Sequence, residues 1–161
     1  TTSSSPSVET SSPSPTPTQT LDADQAAARD VVLEYSELMD EFGMDDSLTD
    51  LTPLTDITSE DVQRVTVATI DSYRQRAVIQ TGPFDVKEIS VGTLGEDGDG
   101  VPLIQVTICV DSTSVDLVEI DTGESVLTGD RDAVNFFEYG VVRQDKSWLI
   151  RDVEAKPTQE C

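Results

Sequence analysis

The sequence contains no histidine, and that absence removes the commonest general base and the imidazole metal ligand. Basic residues are scarce as well: ten Lys and Arg stand against 32 Asp and Glu, giving a net charge of −22. Nucleic-acid binding needs clustered Lys and Arg that release counterions, so a phosphate-backbone partner is excluded. No run approaches the roughly eighteen consecutive apolar residues of a membrane span. Anionic headgroups repel so acidic a surface, so membrane attachment is expected only through a covalent lipid. Cysteine is limited to Cys109 and Cys161, and two thiols without histidine make only half a zinc site. Internal repeats and βαβ alternation are missing too, which argues against a parallel sheet.

What is present begins with a biased leader. The first twenty residues, TTSSSPSVETSSPSPTPTQT, are Ser, Thr and Pro apart from Val8, Glu9 and Gln19. Such a segment has too little apolar surface to offset the entropy of ordering itself. Pro6, Pro13, Pro15 and Pro17 favour extended conformers and stiffen it. Residues 1–21 therefore read as a disordered tether, and 22–161 as one domain large enough for a single core. The chain starts with Thr, and the expectation is a mature form whose targeting segment has been removed. A tether of this kind suits a protein held clear of a membrane and wall; an interdomain linker is the blander reading.

An even count of two cysteines, in a chain whose other features point outside the cytoplasm, reads as one disulfide. Cys109 lies in a strand-like run, whereas Cys161 ends a polar tail that offers a thiol no packing role. Bridging them closes a 52-residue loop, worth about 4 kcal/mol in the chain-entropy model.

From Asp22 to Phe42 the apolar residues Ala27, Val31, Tyr35, Leu38 and Phe42 recur at helical spacing, with Asp22 or Asp24 as N-cap and Gly43 as the stop. The linking stretch DDSLTDLTPLTDIT has room for a short helical turn before Pro53. A second helix is expected from Thr58 or Ser59 through Val62, Val65, Thr69, Tyr73 and Ala77. After Pro83 the period becomes two. FDVKEISVGTL, VPLIQVTICVD, SVDLVEID, ESVLT, AVNFFEYGVVRQ and WLIRDVEAK read as strands, joined by the turns GEDGDG, TG and DKS. Helices followed by an antiparallel meander predict an α+β fold in which the helices cover one sheet face.

The amphipathic opening helix with Tyr35, the second helix and the curved sheet resemble the NTF2-like superfamily, a cone-shaped, cystatin-like α+β fold. More narrowly, the Ser/Thr/Pro leader, ICVDSTSV, VVRQDKSWLIRDVE and the terminal cysteine are similar to secreted actinobacterial lipoproteins carrying this domain. The resemblance covers most of residues 22–161. It implies a surface-anchored, extracytoplasmic protein, a lipidated cysteine just before Thr1, and a tail cysteine that meets the one before Val110. Its motifs are structural, so it implies location and fold more than activity.

Enzymes of that superfamily work from the mouth of the cone, with Asp or His acting on a proton and Tyr or Asp stabilising an oxyanion. Here no spacing marks a convergent pair, and Tyr35, Tyr73 and Tyr139 sit on apolar faces as core tyrosines do. Tyr35, Tyr73, Phe136 and Trp148 are the candidate pocket residues, with Trp148, Phe136 and Phe137 able to plug the cone. The single DTG at Asp121–Gly123 is half an aspartic-protease pair and reads as a hairpin turn. Glu96, Asp97 and Asp99 are a fragment of a calcium loop that lacks the bidentate twelfth-position Glu. Asp45, Asp46 and Asp50 read as a solvated stretch. No cofactor is expected. The leading expectation is a non-catalytic domain binding an unknown protein or small molecule, or a second copy through the sheet. The alternative is a small-molecule binder or an isomerase- or dehydratase-type pocket enzyme using Asp and Tyr.

Overall fold

A computed structural model describes residues 20–129, 131 and 133–156. The leader to residue 19 and the tail from 157, with Cys161, lie outside the described residues. Helix α1 (Ala23–Met44) starts at Asp22, whose carboxylate accepts from the Gln25 backbone at 2.8 Å while the Gln25 side chain accepts from the Asp22 backbone at 3.0 Å. This capping box satisfies two donors that a helix start leaves unpaired. Gln25 Nε2 also donates to the Gly92 carbonyl at 2.9 Å, tying the helix start to the sheet. Leu21, assigned to the tether, packs against the core.

The helix does not stop at Gly43; it runs to Met44 and ends at Asp45. Gly43 has a packing role instead, since a Cβ there would sit 2.5 Å from Gln80 Oε1. Ala28 and Val32 are the wholly buried residues, with Ala27, Val31 and Tyr35 partly buried beside them, so the expected stripe is centred one residue further along. Helix α2 (Pro53–Ile57) begins at Pro53 rather than ending before it, because the first helical position needs no N–H. Helix α3 (Glu60–Gln75) is capped by Ser59, which also donates to the Arg151 carbonyl at 3.0 Å. It buries Val62, Thr66 and Ile70, whereas Val65 is 59 % exposed. Ala77 lies beyond the helix at φ 50 and leads into β1 (Val78–Thr81), a strand the periodicity does not signal.

The remaining strands are β2 (Asp85–Val91), β3 (Gly95–Glu96), β4 (Pro102–Asp111), β5 (Asp116–Glu119), β6 (Val134–Gln144) and β7 (Ser147–Lys156). The main sheet runs β2-β4-β6-β7 with β3 also on β4, and β1 pairs β5 separately, all antiparallel. The fold is thus α+β with helices preceding a curved sheet, as expected, although β5 leaves the meander to pair with β1. ESVLT contributes only a bridge between Val118 and Ser125. Register shifts at Val86/Glu88 and Gly140/Val141 bend the main sheet.

Strand alternation sets the core. Ile104, Val106, Ile108 and Val110 of β4 face the helices, and pairing places Val141, Tyr139 and Phe137 beside the first three. Trp148 and Ile150 of β7 join this layer, and Ala28, Val32 and Val62 cover it. Burying each large aliphatic here contributes about 1.5–3 kcal/mol. Cys109 and Phe136 are register partners on the opposite face, and both are buried.

Candidate functional site: an apolar cleft

The helices cover the inner face unequally. Where β2 and β6 begin and β4 and β7 end, a cleft of about 200 Å³ opens between the sheet and the second half of α1. Its floor is Val86, Ile108, Val110, Phe137, Tyr139 and Val153; its wall is Tyr35, Ser36 and Met39; Phe84 stands at the rim. These positions follow from alternation and helical spacing. Val86 pairs with Val110, Ile108 with Phe137, and Tyr139 with Val153, so all share one face, while Tyr35 and Met39 are one helical turn apart.

The two phenols close the cleft's inner end. Their rings meet edge to face with centroids 6.1 Å apart, and Tyr35 shares a 2.8 Å hydrogen bond with Thr66 Oγ1. Burial pushes both hydroxyls above the ordinary tyrosine range; for Tyr139 the neighbouring Tyr35 adds to this, and a bond with Ser36 opposes it. Both are therefore neutral groups, and Tyr35 has its partner already in place. Ser36 itself donates to the Val32 carbonyl at 3.0 Å.

Asp40 is the carboxylate bonded to the rim residue Phe84. Its Oδ1 accepts from Gln80 Nε2 at 2.7 Å and from the Phe84 backbone at 3.1 Å, holding the β1–β2 connection against α1. Burial raises its pKa, and the bonds from Phe84 and Gln80 pull it back. No carboxylate lines the cleft, so there is no pair of acids to share a proton. What the cleft offers is an apolar surface, part aliphatic and part aromatic, that favours an apolar group.

Of the sequence candidates, only Tyr35 lies in the cleft. Tyr73 borders a separate hollow between the two sheets, with Gln80 and Arg131, where Arg131 Nη2 donates to the Ser112 and Val115 carbonyls. Phe136 faces the other side of the sheet, and Trp148 is packed into the core at the covered end, so neither plugs the cleft. Phe137 lines it without filling it. Phe84, Phe137 and Tyr139 are the aromatic lining residues absent from the candidate set. The signal was weak: in Asn135-Phe136-Phe137-Glu138-Tyr139 a period of two favours Phe137 with Tyr139, but the adjacent phenylalanine obscures it.

Asp97 is engaged in its own turn: Oδ1 accepts from the Asp99 and Val101 backbones at 2.9 and 2.8 Å, and Oδ2 pairs with Arg151. These bonds, that from Val101 foremost, hold its carboxyl below the usual range. Glu96 belongs to β3, and among the described residues no cluster could hold a metal ion. Asp45 and Asp50 accept from Ser47 and Thr52 in local turns. Asp121–Gly123 is an exposed turn with Gly123 at φ 70. Among the described residues no cysteine is a free thiol, and Cys161 lies outside them.

The chain matches no protein-family model and no curated protein. It is similar to a solved structure, the intermembrane space region of the chloroplast protein ARC6, with TM-score 0.58 and 12 % identity over 87 % of this chain and 100 % of that one. At that identity the likeness extends to the fold alone. No helix among the described residues is long and apolar enough to cross a membrane.

Proposed function

We propose that this chain is a non-catalytic, extracytoplasmic binding domain, NTF2-like, carried on the surface of an actinobacterial cell as part of a lipoprotein. Its cleft seats an apolar group. The observation that carries the binding reading is the lining: apolar and aromatic groups around a single serine, with Tyr35 hydrogen-bonded to Thr66 and no carboxylate among them. The anchored location rests on the Ser/Thr/Pro leader, the acidic balance and the two cysteines. That Cys109 is not a free thiol supports a bridge to Cys161.

A titration with indole, followed by amide NMR, tests the cleft. Shifts centred on Met39, Phe84, Phe137 and Val153 are expected, and their absence at saturating indole would remove the reading. Protease treatment of intact cells tests the location: the domain should be cleaved from the surface, and full protection would place it inside. A pocket enzyme is the second reading, favoured by the raised pKa of Asp40 beside the rim. It requires Asp40 to leave Gln80 and Phe84, so an Asp40→Asn protein with undiminished indole binding and no lost turnover would count against it.

A further inference from the structure

We infer that the cleft docks a partner polypeptide through one large apolar side chain flanked by Lys or Arg; this rests on the cleft reading proposed above. Size gives the first argument. A cleft of about 200 Å³ is smaller than the roughly 300–1,000 Å³ of sites that enclose a whole small-molecule ligand. It suits a single anchoring side chain of the kind that dominates protein interfaces. The rim extends this apolar surface outward, since Phe84 and Val153 are 37 % and 38 % exposed. Exposed apolar side chains continuous with a pocket characterise a contact surface more than an enclosed ligand site.

Charge gives the second argument and decides the flanks. No Lys or Arg lines the cleft. The nearby sheet charges, Lys87 with Asp85 and Asp111 and Lys156 with Glu138 and Glu154, are paired on the outer face, the face of Cys109 and Phe136. The wall supplies the imbalance: the second half of α1 carries Glu34, Glu37, Asp40 and Glu41 and no Lys or Arg. A partner whose apolar anchor stands between cations meets a complementary field, and one flanked by acids meets repulsion.

Two blocked pentapeptides test this, each with a central tryptophan, one flanked by pairs of lysines and the other by pairs of glutamates. Amide NMR follows Phe137 and Val153, with indole as the uncharged control. The lysine peptide should bind about tenfold or more tightly than the glutamate peptide in about 20 mM salt, and the gap should shrink by about 300 mM. Val153→Trp should fill the cleft and abolish peptide and indole binding; should that protein misfold, Val153→Lys places a cation at the exposed rim and should weaken the lysine peptide selectively. Equal binding of the two peptides would overturn the cationic partner while leaving the apolar cleft intact. Undiminished lysine-peptide binding by Val153→Trp would show attraction to the acidic surface alone and overturn the docking site. Failure of indole to shift the cleft amides would remove the cleft reading itself, and this inference with it.

Discussion

At one end of the sheet's inner face Ile104, Val141 and Ile150 are wholly buried beneath Ala28 and Val32; at the other, Val153 is 38 % exposed and Phe137 is only partly covered. The strands are alike at both ends, with β-branched and aromatic residues alternating inward, so the sheet does not account for the difference. The helix does. Small aliphatic side chains on the first half of α1 allow close approach, whereas Tyr35 meets Tyr139 edge to face and marks where covering stops. Beyond that pair α1 offers Ser36, turned back to its own backbone, and Met39. One end therefore holds the fold together, and the other leaves apolar surface uncovered.

The contrast is broken most directly by paired truncations. Ile150→Ala should cost about 2–5 kcal/mol in denaturant unfolding, through lost burial and a residual cavity. Val153→Ala should change stability by no more than about 0.5 kcal/mol, as exposed positions usually do. Equal costs would mean that the two ends are packed alike.

A smaller effect tests the boundary pair. Tyr35→Phe should cost about 1 kcal/mol near neutral pH for the lost bond to Thr66. Because the folded pKa values of Tyr35 and Tyr139 are raised, the stability they confer is complete below the ordinary tyrosine value of about 10 and is lost as pH rises above it. The variant should lose less stability than wild type between neutral and strongly alkaline pH, measured by unfolding at each pH.

Asp40 sharpens the comparison at the rim. Asp40→Ala should cost about 0.5–1.5 kcal/mol and speed amide exchange at Phe84, while Asp40→Asn, which keeps an acceptor, should do neither. Its raised pKa means that acidification through the carboxylate range relieves a buried charge and favours the fold through this group. Asp97 and Asp111, both held low, work in the opposite sense: their stabilisation is present above the ordinary Asp range and lost as pH falls. Asp40→Asn should therefore unfold more readily than wild type on mild acidification, relative to their neutral values.

Much of this arrangement was legible in the chain. Asp22 and Ser59 are caps because an oxygen-bearing side chain precedes a helical pattern, and β4, β6 and β7 announce themselves by period-two runs. The rest depends on contacts distant in sequence. Gly43 looks like a helix stop until Gln80 is seen against it, and Val65 looks like core until Thr66 finds Tyr35 across the helix pair. Phe136 and Phe137 are separable only by register: Phe136 pairs with Cys109 and Phe137 with Ile108, which puts them on opposite faces. Trp148 faces inward as its spacing suggests, but it pairs with Arg143, away from the opening.

The smallest local effect concerns charge. Self-repulsion at −22 should ease as salt shortens the Debye length to about 10 Å at 0.1 M, so the melting temperature should rise with sodium chloride. Calcium should add little beyond its ionic strength, given the engagement of Asp97. A rise of several degrees at matched ionic strength would make the acidic turns a site.

The openness of one end of the inner face is tested most directly by diffraction from crystals under xenon pressure, because apolar cavities of about 150 Å³ already bind xenon or benzene. Xenon should occupy the space between Met39, Phe137 and Val153 and be missing around Ile104 and Ile150. An unoccupied cleft with Phe84 folded into it, or xenon lodged in the core instead, would contradict the division between a closed end and an open one.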